Sequence, residues 1–352
     1  MTDKLLSIQS LRGIAVLLVV VVHLRQFELR FSGDHGVLPP WTGHFQCGVD
    51  LFFVISGYVM VAISHGRKDS ITAPAEFLAR RALRILPLYW TVTLLMAAVA
   101  IVLPQFAPQR ADSLVTTLIK SLALWPDRQA PLIGQGWSLI HEMYFYTVFA
   151  VGLMFQRIRP GFLLLSWGLV AISGAVIFGP ITDQSVPWFR VAFHPMTVEF
   201  IAGALLAISH QNGPLGAHRF SLLAGTVLWI CTLGLPEFER HGLLRPIWYG
   251  GSAVLILHGA IGIERLRTYS PPRILVQIGD ASYSTYLWHL LIIFGAGSAW
   301  VRFFGAPSTW ILKVVLIIFL GTLALGSGWI LWNFLEVPMQ RRASALLRDN
   351  RR

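Results

Sequence analysis

Charge is scarce in this chain. Only 13% of its 352 residues are Asp, Glu, Lys or Arg, and the 17 acids are outnumbered by 28 bases. A soluble domain carries about a quarter charged residues, so that class is excluded. Cysteine is scarcer still. Cys47 and Cys231 make no disulfide framework, and a single bridge between them is the most they allow. The cations are scattered over short connections and form no basic groove with interleaved aromatics, which argues against a nucleic-acid partner. No small-residue cleavage site lies before Arg25, so the first apolar run reads as a retained span, not a signal peptide. Internal repeats are also missing, which speaks against transporters built from two related halves. No metal-ligand cluster is expected.

Hydrophobic residues make up 55% of the chain. Ten apolar segments stand out, at 10–26, 48–66, 85–103, 138–156, 161–179, 194–209, 220–235, 247–263, 281–301 and 311–335. Each approaches the length needed to cross about 30 Å of hydrocarbon as a helix. The expected fold is therefore all-α, a polytopic membrane protein with about ten transmembrane helices. A single domain is expected over 1–352, with its core at roughly 7–338 and a short basic tail at 339–352. If the N-terminus is inside, 18 basic residues fall on inner connections and 10 on outer ones. Both termini are thus expected on the cytoplasmic side. The longest outer connection, 104–137, is rich in Pro and Gly. Its apolar middle, Leu114–Trp125, is short enough to lie in the interface or re-enter the membrane.

The ionisable residues inside apolar runs carry the functional signal. Arg12 and His23 lie in the first run with nothing polar between them. Eleven steps of about 100° return to the same helical face, about 16 Å further along the axis. Asp50 opens the second run and Glu142 the fourth, where Glu142 shares a face with Ser138 next to Trp137. An imidazole, two carboxylates, a Ser and a Trp at one outer depth suit general-base work on a hydroxyl. Helix capping is the competing account of Asp50 and Glu142. At the inner surface, Arg81 and Arg84 share a face and, with Arg12, suit phosphate recognition. Positive-inside topology explains their neighbour Arg80. In the ninth span Asp280 or Ser282 is expected to cap the helix. His289 lies deeper, where a His lines a cavity or bonds a neighbouring helix. Glu336 ends the tenth span, positioned to pair with an inner arginine. A proton-coupled transporter with His23, Glu142 and His289 as a relay is the alternative from these charges alone.

Five motifs, taken in order, resemble the acyltransferase-3 family of integral membrane acyltransferases. They are Leu11-Arg12-Gly13-Ile14-Ala15 leading to His23; Gly48 to Gly57; Arg81-Ala82-Leu83-Arg84 before Pro87-Leu88-Tyr89-Trp90; Trp137-Ser138-Leu139 with Glu142, Phe145 and Tyr146; and Ser282-Tyr283 with Tyr286, Leu287 and His289. Many members carry a second adjacent glutamate where this chain has Met143, and His141 precedes Glu142 here. That variation resembles the subgroup linked to exopolysaccharide and lipid-linked sugar modification.

The resemblance implies an enzyme of a bacterial inner membrane. It would move an acyl group, commonly acetyl, from cytoplasmic acyl-CoA to a sugar hydroxyl of a lipid-linked or exported glycan. No permanently bound cofactor is implied, only acyl-CoA as co-substrate. On this reading Arg12, Arg81 and Arg84 hold the donor's phosphates, and His23 takes the acceptor's proton. Asp50 or Glu142 orients the imidazole, while Trp137, Ser138, Tyr286, His289 and Glu336 support the site.

Overall fold

The computed structural model describes residues 5–32, 36–64, 73–103, 111–155, 157–178, 186–213, 216–234 and 244–349. Among these the regular structure is helical, with no strand. The α-helices are α1 (Leu6–Ser32), α2 (Gly48–Ser64), α3 (Ala73–Val102), α4 (Leu114–Leu122), α5 (Gly136–Met154), α6 (Pro160–Ile177) and α7 (Pro187–Ala192). They continue with α8 (Thr197–Asn212), α9 (His218–Thr232), α10 (Gly251–Arg265), α11 (Arg273–Asp280), α12 (Ser282–Phe304), α13 (Trp310–Leu331) and α14 (Val337–Asp349).

Among the described residues each of the ten apolar segments is helical over most of its length, because backbone in lipid must satisfy its hydrogen bonds within the segment. Eight helical stretches among the described residues are long and apolar enough to cross a membrane. The protein is an all-α polytopic membrane protein. The two segments outside that set are α5 and α9. Helix α9 has 15 residues, about 22 Å, short of the hydrocarbon thickness. Helix α5 has 19 residues, but it carries His141 and Glu142. Helix α14 takes in residues 339–349 of the expected basic tail and packs on α3. Cys47 is buried, Cys231 is exposed, and both are free thiols.

The chain divides into two compact units. The first comprises Met1–Ser56 and Ser209–Phe334, the second Gly57–Ile208 and Leu335–Arg352. In the first unit α1 is the hub, packed on α10, α11, α12 and α13. Its N-terminus is capped from α10, where the Glu264 carboxylate accepts from Leu6 N at 2.7 Å and Ser7 N at 2.8 Å. Two orphan amides are thereby satisfied by an anion placed where the helix dipole favours it. Helix α11 crosses α1 backbone to backbone. A Cβ on Gly279 would sit 1.8 Å from Gln9 O, and one on Gly13 2.3 Å from Leu275 O. Only glycine fits there. Further along, Val20, Leu24 and Phe27 pack with Ile293, Leu316, Leu320 and Ala324.

In the second unit α3 is the hub, contacting α4, α5 and α14. Helix α4 does not sit beyond the end of α3. Tyr89 donates to Ser121 O and Trp90 Nε1 to Leu122 O, each at 2.9 Å. Trp90 precedes the last residue of α3, Val102, by about 18 Å of helix. Helix α4 is also inside out: Thr117 and Ser121 are buried while Val115 and Ile119 are exposed. Its apolar face is turned outward, as in a segment that meets lipid.

Candidate active site

His23 sits where α1 crosses α12. Its Nδ1 lies 2.7 Å from Val19 O and 3.2 Å from His289 Nε2. The rings meet edge to face, 4.8 Å between centroids. His289 is fully buried, and its own Nδ1 faces Tyr286 O at 2.8 Å and Thr285 O at 3.1 Å. Carbonyl oxygens only accept, so these contacts assign both tautomers. His289 carries its proton on Nδ1 and turns the Nε2 lone pair towards His23. His23 likewise carries its proton on Nδ1, shared between Val19 O and His289 Nε2. The lone pair of His23 is left on Nε2, the nitrogen that bonds no other described residue. His23 is only half-buried, as a group that meets a substrate must be. Tyr286 lies 6.0 Å from His289 and 6.1 Å from Phe52, ring to ring. This aromatic run backs the imidazole pair.

The sequence reading offered Asp50 or Glu142 as the group that orients His23. The structure brings His289 to it. The fully buried Asp50 is held bidentately by Arg245, with Nε to Oδ1 at 2.8 Å and Nη2 to Oδ2 at 2.6 Å. Arg245 also lies over Tyr249, 5.6 Å from the ring centre, and Tyr249 OH meets His44 Nδ1 at 2.6 Å. Arg245 was not among the candidate site residues of the sequence. No local pattern marks it, because its partner is 195 residues away. Asp50 therefore does not act as a simple helix cap; its carboxylate is consumed by a guanidinium fork.

In the second unit Glu142 accepts from Tyr146 OH one turn along α5. The Arg81 guanidinium lies 5.7 Å from the Tyr146 ring centre and 5.9 Å from that of Phe77. This corrects the two-layer depth assignment. Arg81 was placed at the inner surface and Glu142 at the outer one, yet both meet Tyr146, past the midpoint of α5. Arg81 is buried whereas Arg84 is exposed, so the two are not an equivalent pair. Arg80 is tied to Glu76 of its own helix.

Ser138 is buried and donates to Gln135 O at 3.0 Å, a local bond at the start of α5. Trp137 is partly exposed and stacks edge to face on His141, 5.8 Å away. Glu336 is buried in the widened turn Trp332–Glu336, and its Oε1 accepts from Gln340 Nε2 at 2.9 Å. Neither Asp280 nor Ser282 caps α12. Asp280 closes α11, Ala281 is the joint, and no side chain caps the start. Arg12 lies on the continuous α1 and is half-buried.

A partly buried imidazole with an assigned base nitrogen, inside a helical membrane bundle, fits an enzyme that activates a hydroxyl or thioester. A family model described as an acyltransferase domain matches residues 5–332. The protein is thus an integral membrane acyltransferase, and the transporter alternative falls. The chain belongs to the acyltransferase-3 family.

Among curated proteins it is 35% identical over 329 residues to the exopolysaccharide production protein ExoZ of Rhizobium meliloti, covering 86% of this chain and 93% of that one. It is 27% identical to the acyltransferase MdmB of Streptomyces mycarofaciens, covering 96% of this chain and 92% of MdmB. With the peptidoglycan O-acetyltransferase OatA of Listeria monocytogenes the identity is 25%, over 82% of this chain and 49% of OatA. No solved structure matches.

Proposed function

We propose that this protein O-acylates a glycan, taking an acyl group, commonly acetyl, from acyl-CoA presented at the cytoplasmic face of a bacterial inner membrane. The observation that carries the proposal is the assigned lone pair on His23 Nε2. It shares α1 with Arg12 at a separation, about 16 Å, that suits a donor with an anionic head and a reactive tip. The relatives named for exopolysaccharide production and peptidoglycan O-acetylation support the acceptor class.

His23 Nε2 takes the proton of an acceptor hydroxyl as its oxygen attacks the thioester carbonyl. The carbon–sulfur bond breaks, and the departing thiolate receives that proton from the imidazolium. The Val19 carbonyl and the His289 Nε2 lone pair hold the charge that forms on His23. His289 thereby fills the orienting place that a carboxylate fills in a Ser-His-Asp triad. If the acyl group first transfers to His23, the same lone pair is the nucleophile. Arg12, in the unit that carries His23, is the cation assigned to the donor's phosphates; in the second unit, buried Arg81 is assigned to holding Tyr146 and Glu142.

Proteoliposomes loaded with acetyl-CoA test the reading. Wild-type protein is expected to release CoA when acceptor is supplied outside. Arg12→Ala is expected to raise the donor concentration needed for half-maximal release about tenfold, the cost of one charge-assisted contact. Flux of acceptor without thioester cleavage would overturn the proposal.

His289 acts through His23, so it is a positioning residue. His289→Ala is expected to lower kcat about a hundredfold with little change in the donor KM. His289→Gln, whose amide oxygen can still accept from His23 Nδ1, is expected to recover most of the rate. Equal loss in both variants would mean that the contact is packing alone.

A further inference from the structure

Gly48 opens α2 where the chain leaves a short 3₁₀ helix, Pro40–Cys47, that packs along α1. A Cβ on Gly48 would sit 2.4 Å from Ala15 O and 3.1 Å from Val19 Cγ2. The first of these contacts is with backbone, which cannot swing aside as a side chain can. The start of α2 therefore presses on one turn of α1, from Ala15 to Val19, and both residues are fully buried. Ala15 O is the intrahelical acceptor for Val19 N. Val19 O in turn lies 2.7 Å from His23 Nδ1. The close approach thus falls one helical turn before the carbonyl that holds the His23 proton.

Three long-range contacts fix this joint in place. His44 Nδ1 meets Tyr249 OH at 2.6 Å, Trp229 Nε1 donates to Cys47 Sγ at 3.0 Å, and Asp50 is gripped by Arg245. The Phe45 ring also stacks on Trp229, 6.4 Å between centroids. Residues 44–50 are thereby tied to α9 and to the segment that leads into α10, while their inner side rests on α1.

Close packing through glycine stabilises other crossings in this unit. At Gly225 a Cβ would sit 2.9 Å from Ser252 O, where α9 meets α10. Packing alone does not require a crossing to fall on the turn that orients the base. Placement of a reacting group is demanding, since a shift of about 1 Å can lower a rate about a hundredfold.

We infer that Gly48 is a positioning residue for acyl transfer. By letting α2 close on the turn from Ala15 to Val19, it fixes the carbonyl that keeps the His23 proton on Nδ1 and the lone pair on Nε2. The inference rests on the reading of His23 as the base and deepens it.

The test uses the full-length protein in nanodiscs, with acetyl-CoA as donor and de-O-acetylated polysaccharide from the host as acceptor. Gly48→Ala is expected to lower kcat per folded molecule about a hundredfold, with the donor KM within about twofold of wild type. Gly225→Ala also drives a methyl group against backbone, but at the α9–α10 crossing. It is expected to reduce the folded fraction and to keep the wild-type kcat per folded molecule. Nitrogen NMR of protein carrying isotope-labelled histidine reads the His23 tautomer, the signal being assigned by its loss in His23→Gln. Wild type is expected to show the proton on Nδ1, and Gly48→Ala a mixture of both tautomers. Trp229→Phe keeps a ring against Phe45 but loses the bond to Cys47, so it loosens the joint without adding an atom at the crossing. It is expected to lower kcat about fivefold with the same mixing of tautomers, and it decides the question if Gly48→Ala yields no folded protein. A wild-type kcat in the folded variant, or a lowered kcat with an unchanged tautomer, would overturn the positioning role and leave the base reading standing. Transfer that survives in His23→Ala would overturn the base reading, and the role of Gly48 with it.

Discussion

Replacing His23 by Ala is expected to reduce acyl transfer at least about a thousandfold while leaving donor affinity within about twofold. A positioned general base contributes about 10² to 10⁴ in rate. Among the described residues bonded to it His23 has no substitute: the neighbouring His289 turns its one proton on Nδ1 to backbone carbonyls and uses Nε2 to accept from His23. The loss should therefore approach the upper part of that range, or about 4–5 kcal/mol of barrier. Donor affinity should be spared because the phosphate end is assigned to the Arg12 guanidinium, and one imidazole adds little binding that is not specific to the transition state. Steady-state CoA release and equilibrium binding of a non-hydrolysable donor analogue measure the two quantities separately. An equal fall in both would mean that His23 belongs to donor recognition, and the base assignment would be wrong.

The legibility of this molecule follows the range of each interaction. Helix positions were readable because lipid forces backbone pairing to be local, so hydropathy alone marks the segments. The Arg12–His23 relation was readable for the same reason, since both lie on one helix and the period is known. What failed depended on which helices touch. The His23–His289 contact spans 266 residues and the Asp50–Arg245 pair 195. Nothing in either local pattern names the partner. Arg81 was misplaced in depth because its polar neighbours on α3 suggested a membrane surface. Only the packing of α5 beside it shows that it faces Tyr146 and Phe77. The expected cap at Asp280 or Ser282 failed because α11 runs into α12 through Ala281, leaving no extended residue to turn a side chain back.

The Asp50–Arg245 pair leads to the second large expectation. Arg245→Ala should destabilise the protein by about 3–5 kcal/mol, because it leaves a buried carboxylate without its counter-ion. Asp50→Ala should cost about as much for the converse reason, with the guanidinium left among Tyr249 and its neighbours. The double replacement Asp50→Asn with Arg245→Gln removes both charges and keeps groups able to hydrogen-bond each other. It should therefore be less damaging than either single truncation, with a coupling outside the range of independent sites. Thermal unfolding in detergent, followed by monodispersity and tryptophan emission, reads the stability. Activity per folded molecule reads the chemistry. If Asp50 worked directly on the substrate, Asp50→Asn would stay folded and lose its rate, while Arg245→Ala would behave differently. If the pair is the strut between α2 and the start of α10, the two single variants lose folded protein together. The folded fraction of each then retains a rate far above that of His23→Ala. That pattern would put the catalytic burden on the imidazole pair, with the carboxylate of the second apolar segment serving to hold the helix ends in register.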